Sequence, residues 1–127
     1  MALILDTNAL SAAAEREPAA MQAVAQAERV AVPVIVIGEY RMGIAQSRYR
    51  ETYERWLREW IAAVEVLEVD EETTVSYAAI GLELKRAGKP IPSNDLWIAA
   101  LCRQHSLPLL SRDQHFDLVA GLQRIVW

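Results

Sequence analysis

Cysteine is almost missing: Cys102 is alone in 127 residues. One thiol excludes an internal disulfide and suits a chain kept in a reducing cytoplasm. It lies within Leu96-Trp97-Ile98-Ala99-Ala100-Leu101-Cys102, where a buried and inert thiol is expected. Histidine is nearly as scarce, with only His105 and His115. Neither stands beside a serine motif, so no nucleophile triad is evident, and zinc-type Cys/His spacings are absent. No apolar run approaches the roughly 20 residues of a membrane helix. Asp6 breaks the first apolar run before a signal-peptide core can form, so neither a leader nor a membrane partner is expected. Positive charge is also short, with 13 Lys and Arg against 17 Asp and Glu, a net charge of −4. Proteins that grip nucleic acid by surface charge alone usually carry a basic excess. If this chain handles nucleic acid, a metal ion or a local arginine patch must offset its acids.

What is present fits one globular domain over residues 1–127, with 53% apolar and 24% charged residues. A chain of that length buries roughly two-thirds of its unfolded surface. Ala2-Leu3-Ile4-Leu5 reads as a central strand buried on both faces, and Leu107-Pro108-Leu109-Leu110 as a second. Helices are expected over 7–16, from Pro18 to 28, over 34–46 after Pro33 at the first helical position, over 49–62, over 70–87 before Gly88, and from a capping Ser93 to about His105. A short helical segment is expected from Asp113. Shorter strands are expected over 29–32, 64–69 and 123–126, the 64–69 strand at a sheet edge because Glu65 and Glu68 fall on opposite faces. Alternating strands and helices mean an α/β fold with a parallel sheet covered on both sides.

Four carboxylates stand where such a fold can gather them. Asp6 and Asp113 follow the two central strands, at the carboxyl edge where open α/β sheets place ligands. If those strands are parallel neighbours, both acids open onto one crevice. Asp95 lies in the first turn of a helix, and Glu39 sits in Ile37-Gly38-Glu39-Tyr40 on a face shared with Ile35, Met42 and Gly43. Each acid has an ordinary alternative role, as an N-cap for Asp6 and Asp113 or as a first-turn acid for Asp95. A charge on an apolar helix face, as at Glu39, is costly unless paired or bound to metal. Two carboxylates about 4 Å apart repel by roughly 4 kcal/mol at an effective dielectric near 20. Mg²⁺, or Mn²⁺, relieves that repulsion, and hydrolysis by metal-activated water is the chemistry such a cluster suggests.

Four segments, taken in order, resemble one known family: Leu5-Asp6-Thr7-Asn8-Ala9-Leu10, Ile37-Gly38-Glu39, Asn94-Asp95-Leu96-Trp97-Ile98-Ala99-Ala100, and Leu110-Ser111-Arg112-Asp113-Gln114-His115-Phe116. Together they look like the PIN-domain ribonucleases, and among these the VapC toxins of type II toxin–antitoxin pairs. The resemblance covers essentially the whole chain. It implies a three-layer α/β/α sandwich, Mg²⁺-dependent endoribonuclease activity on RNA, an antitoxin partner and a homodimer. Asp6 and Asp95 match the acids that hold the metal most directly, Glu39 the second acid of the pocket and Asp113 the fourth. Thr7 and Asn8 match residues that orient Asp6 and its water shell. Asp117 is an alternative outer acid, although a solvated helix position is the simpler reading of Phe116-Asp117-Leu118.

Arginines cluster over residues 41–58. Arg41, Arg48 and Arg50 are candidates for contact with RNA phosphates. Arg55 and Arg58 read as a solvated face in i,i+4 pairs with Glu51 and Glu54. Trp56 and Trp60 share a helix face and are expected to pack in the core or a subunit interface. Other readings of the same acids are a metal nuclease that processes RNA or cleaves DNA, a receiver-like switch, or a catalytically silent partner in a repressor complex. A receiver wants lysine after the last central strand, where this chain has Ser111-Arg112.

Overall fold

The computed structural model describes residues 2–127. Strand β1 (Ala2–Leu5) leads into helices α1 (Thr7–Ala14) and α2 (Pro18–Gln26), and β2 (Arg29–Pro33) runs directly into α3 (Val34–Ile44). Helix α4 (Arg50–Ile61) precedes β3 (Glu65–Leu67), and α5 (Glu71–Arg86) precedes α6 (Ser93–His105). The chain closes with β4 (Leu109–Leu110), a 3₁₀ turn (Gln114–Leu118) and β5 (Arg124–Ile125).

The strands form one parallel sheet in the order β3-β2-β1-β4-β5. The uncharged run 2–5 is its centre, and all four residues are buried. Successive strand side chains point to opposite faces. Ile4 therefore enters the larger apolar cluster, with Leu10, Val36, Ile80, Ile98 and Leu109. Leu3 and Leu5 enter a smaller one with Ala9 and Leu110, closed by Ala23 and Val24 of α2. Helices thus cover both faces, giving the three-layer α/β/α sandwich. As expected, β1 and β4 are adjacent and parallel, with Leu5 opposite Leu110, and β3 lies at an edge.

Helix positions follow from what each buries. In α3 the β-branched run 34–37 stays helical because Val36, Ile37 and Tyr40 form one buried stripe. Met42 on the same helix is 81% exposed, so the face carrying Glu39 opens to solvent; it is not an apolar contact face as expected. In α6, Ile98 and Leu101 are fully buried. Burial of side chains of this size stabilises by about 1.5–3 kcal/mol each, which fixes the helix and the acid on its first turn. Trp56 and Trp60 stack at 5.7 Å between ring centres and pack on the larger cluster, and Cys102 is buried.

Several boundaries differ from expectation. The N-cap of α6 is Pro92, with extended backbone and no side-chain cap bond, so Ser93 is the first helical residue and does not cap. Pro33 ends β2 and caps α3 and so falls one residue before the first helical turn. The outer strands are shorter than their apolar patterns, because pairing stops where the neighbouring strand does. Gly88 takes φ of +69° after α5, the left-handed stop that its sequence position suggests.

Candidate metal centre

The order 3-2-1-4-5 reverses direction between β1 and β4, and the crevice outside the carboxyl ends of those two strands is the natural ligand site. Asp6 stands there as the N-cap of α1, its Oδ1 accepting a 2.8 Å hydrogen bond from the Ala9 amide. It is 4% exposed. Burial pushes its carboxyl above the ordinary value of 3.8; the Ser111 hydroxyl and the Ala9 amide hold it back, and the facing Asp95 and Asp113 push it up further. The capping role and the place in the cluster are therefore compatible.

Asp95 reaches the crevice from the first turn of α6. Burial raises its carboxyl too; the adjacent His115 opposes this, and Glu39 and Asp113 add to it. Asp113 caps the 3₁₀ turn, accepting from the His115 amide at 3.4 Å, while its own amide donates to Ser111 Oγ at 2.9 Å. Glu39 comes from α3, and the Thr7 hydroxyl donates to its Oε1 at 2.8 Å. The four acids predicted from the sequence thus share one electrostatic environment. Thr7 touches Glu39, and Asn8 points outward as an exposed residue of α1. Asp117 lies apart: Arg124 grips it through Nε at 2.8 Å and Nη2 at 2.9 Å, which lowers its carboxyl.

Two members of the crevice were not anticipated. Ser111 is fully buried between β4 and the acids. His115 lies between two of them, with Nε2 2.9 Å from Asp95 Oδ2 and Nδ1 3.0 Å from Asp113 Oδ1. Its Nε2 is closed off from solvent yet has no properly aligned hydrogen-bond partner. Asp95, Asp113 and His115 each offer a ligand atom within 4.8 Å of the others. Desolvated, mutually repelling carboxylates with an orphaned ring nitrogen among them form a donor set suited to a divalent cation.

The arginines lie to one side. Arg41 pairs with Glu54 through Nε and Nη2, both at 3.0 Å from Oε1. That pair displaces the expected Glu54–Arg58 pair, and among the described residues Glu51 and Arg55 form no ion pair either. An inter-helix guanidinium within reach wins over the i,i+4 neighbour, whose contribution is only about 0.3–0.5 kcal/mol. Arg48 stacks 5.1 Å over the Tyr49 ring. Arg41, Arg50, Arg55 and Arg58 line a cleft of about 500 Å³ between α3 and α4. A second, separate cleft is lined by Thr7, Glu39 and Tyr40 and borders Ile44, which also lines the first. No helix among the described residues is long and apolar enough to cross a membrane.

The profile of the PIN domain family matches residues 3–122. Ribonuclease VapC5 of Mycobacterium tuberculosis is 30% identical over 96 residues, 74% of this chain and 71% of that protein. A chain of VapBC-5 from Mycobacterium tuberculosis, a member of the VapBC family of toxin–antitoxin systems, superposes with a TM-score of 0.75 at 26% identity, covering 98% of this chain and 96% of that one. A chain of VapBC-1 from nontypeable Haemophilus influenzae superposes with a TM-score of 0.88 at 27% identity, covering 100% and 98%.

Proposed function

The chain belongs to the PIN-domain family, in its VapC branch, and from that premise we propose that it is a single-domain, metal-dependent endoribonuclease acting as the toxin of a toxin–antitoxin pair. The observation that carries the reading is the convergence of Asp6, Glu39, Asp95 and Asp113 where the strand order reverses. These four carboxylates hold one or two divalent ions, directly or through water, with Mg²⁺ or Mn²⁺ the ions that suit oxygen donors. A bound ion supplies a water of lowered pKa as nucleophile and offsets charge on the phosphodiester.

The chain's own residues do the rest. Asp6 is fixed by the Ala9 amide and the Ser111 hydroxyl, which hold its carboxylate at the crevice. Thr7 holds Glu39 in one rotamer by taking up Oε1. Burial of Asp6 and Asp95 keeps competing water out and strengthens every charge interaction inside. Arg50 and Arg41, in the cleft between α3 and α4, and the nearby Arg48 offer guanidinium groups to RNA phosphates.

Partners follow the same premise. The relatives' assemblies support a cognate antitoxin, and the lone buried cysteine supports a cytoplasmic setting. A homodimer is supported by α5, where Val75 is 70% and Leu82 47% exposed on one face together with Ala78 and Ala79.

The test is induction of the chain in cells with mapping of new RNA 5′ ends. The wild type is expected to arrest growth and create new ends. Asp6→Asn and Asp95→Asn are expected to abolish both while the far-UV circular dichroism stays native and neither variant melts below the wild type. Full toxicity in either variant overturns the assignment.

A further inference from the structure

We propose that His115 is a metal ligand, its Nε2 joining Asp95 Oδ2 on the ion, and that Asp113 acts from behind it as a positioning residue on Nδ1. The inference rests on the metal-dependent reading above and sharpens which donors touch the ion and which ion they prefer.

Three observations carry it. The separation of 2.9 Å between His115 Nε2 and Asp95 Oδ2 matches an edge of a coordination octahedron, since two cis ligands about 2.1 Å from an ion stand about 3 Å apart. Nε2 is closed off from solvent and stands beside Asp95 Oδ2 without the alignment of a hydrogen bond to it, so both atoms are placed to share an ion. On the other side of the ring, Nδ1 faces Asp113 Oδ1 at 3.0 Å. A ligating histidine commonly donates its second ring N–H to a carboxylate, which fixes the tautomer and ring orientation. The Asp113 backbone amide donates to Ser111 Oγ and its Oδ1 accepts from the His115 amide, which together set the residue beside the ring. Phe116 packs beside the imidazole at 4.8 Å between ring centres and is buried, which holds the turn that carries His115.

The donor set determines the ion. Mg²⁺ takes oxygen ligands and retains water, whereas imidazole suits iron, nickel, copper and zinc, with Mn²⁺ between the two groups in affinity for nitrogen. A site that joins an Asp95 oxygen to an imidazole nitrogen therefore favours a transition ion over Mg²⁺, and Mn²⁺ serves as the spectroscopic probe. The competing account is that His115 is a resident counter-ion for Asp95 and Asp113. In that case any incoming cation displaces it, and removing it tightens Mg²⁺ and Mn²⁺ alike.

The experiment loads the purified chain with Mn²⁺ and records electron spin-echo modulation, with calorimetric titration of Mn²⁺ and Mg²⁺ alongside. The wild type is expected to show a directly coordinated ¹⁴N. His115→Ala is expected to lose that modulation and to weaken Mn²⁺ by about 10–100-fold with little change for Mg²⁺. Asp113→Asn is expected to keep the nitrogen signal and weaken Mn²⁺ by about 10-fold. Binding of Mn²⁺ without a nitrogen signal in the wild type, or tightening of both ions in His115→Ala, overturns this inference and leaves the metal-dependent reading standing. Failure of the wild type to bind either ion overturns both.

Discussion

Asp6 has two tasks that pull in opposite directions: it caps α1, and it carries charge in a buried crevice facing two other acids. The cap needs only an acceptor, and asparagine supplies one equally well. The charge is what the metal-free protein disfavours, because burial raises the folded-state pKa above the ordinary 3.8. Stability from such a group is fully present below its unfolded pKa and is lost as pH rises through the folded one. In chelator, Asp6→Asn is therefore expected to melt above the wild type at neutral pH, and the gap is expected to close as pH falls toward 3.8. Asp70 and Asp117, whose carboxyls are lowered, slope the other way at the acid end, but they do so in both proteins and cancel in the difference. Added Mn²⁺ should close the gap at neutral pH by stabilising the wild type alone. A melting difference independent of pH would show that Asp6 carries no electrostatic strain. Asp6 was legible in the sequence because a lone carboxylate ends an uninterrupted apolar strand. His115 and Ser111 were not, since their importance lies in distances across the β1–β4 crevice that no spacing along the chain encodes.

Among the elements, α4 is the one whose surface chemistry departs most from local expectation. The sequence pairs Arg55 and Arg58 with glutamates one turn away, yet Glu54 turns to Arg41 of α3, and Arg50, Arg55 and Arg58 lie along a cleft. Helical periodicity correctly gave the buried side of α4, with Leu57 fully enclosed. It could not give the partner of Glu54, which depends on how α3 and α4 meet. Ser93 shows the same limit at a helix start, because a hydroxyl one residue after Pro92 looks like a cap until the extended proline takes that place. Each phosphate contact to a single strand contributes a salt-dependence slope of about 0.7. In an Asp95→Asn background that binds RNA without cutting it, Arg50→Ala combined with Arg55→Ala is expected to flatten the slope of log affinity against log salt by about 1.4. Fluorescence anisotropy with a short labelled RNA measures it, and an unchanged slope removes these arginines from the RNA path.

For the molecule as a whole, net charge and shape point toward company. The α5 stripe of Val75, Ala78, Ala79 and Leu82 is an apolar face on an otherwise polar helix, and two copies meeting across a two-fold axis would cover it. Light scattering on the isolated chain is expected to report twice the chain mass, and Val75→Asp with Leu82→Asp to report the single chain; a monomeric wild type at tens of micromolar would discount the stripe as an interface. The layered α/β plan could be foreseen from strands alternating with helices, and the adjacency of β1 and β4 was suggested by an acid at the end of each. The full strand order was not, because β3 and β5 each pair over so few residues that their sequences carry little pattern. That order has a bearing on synthesis. Strand β1 is made first, but its neighbour β4 and the acid that follows arrive only after more than a hundred further residues. A half-translated chain therefore carries Asp6 and Glu39 without the opposing wall of the crevice, so the pocket cannot assemble on the ribosome before β4 and Asp113 have been made.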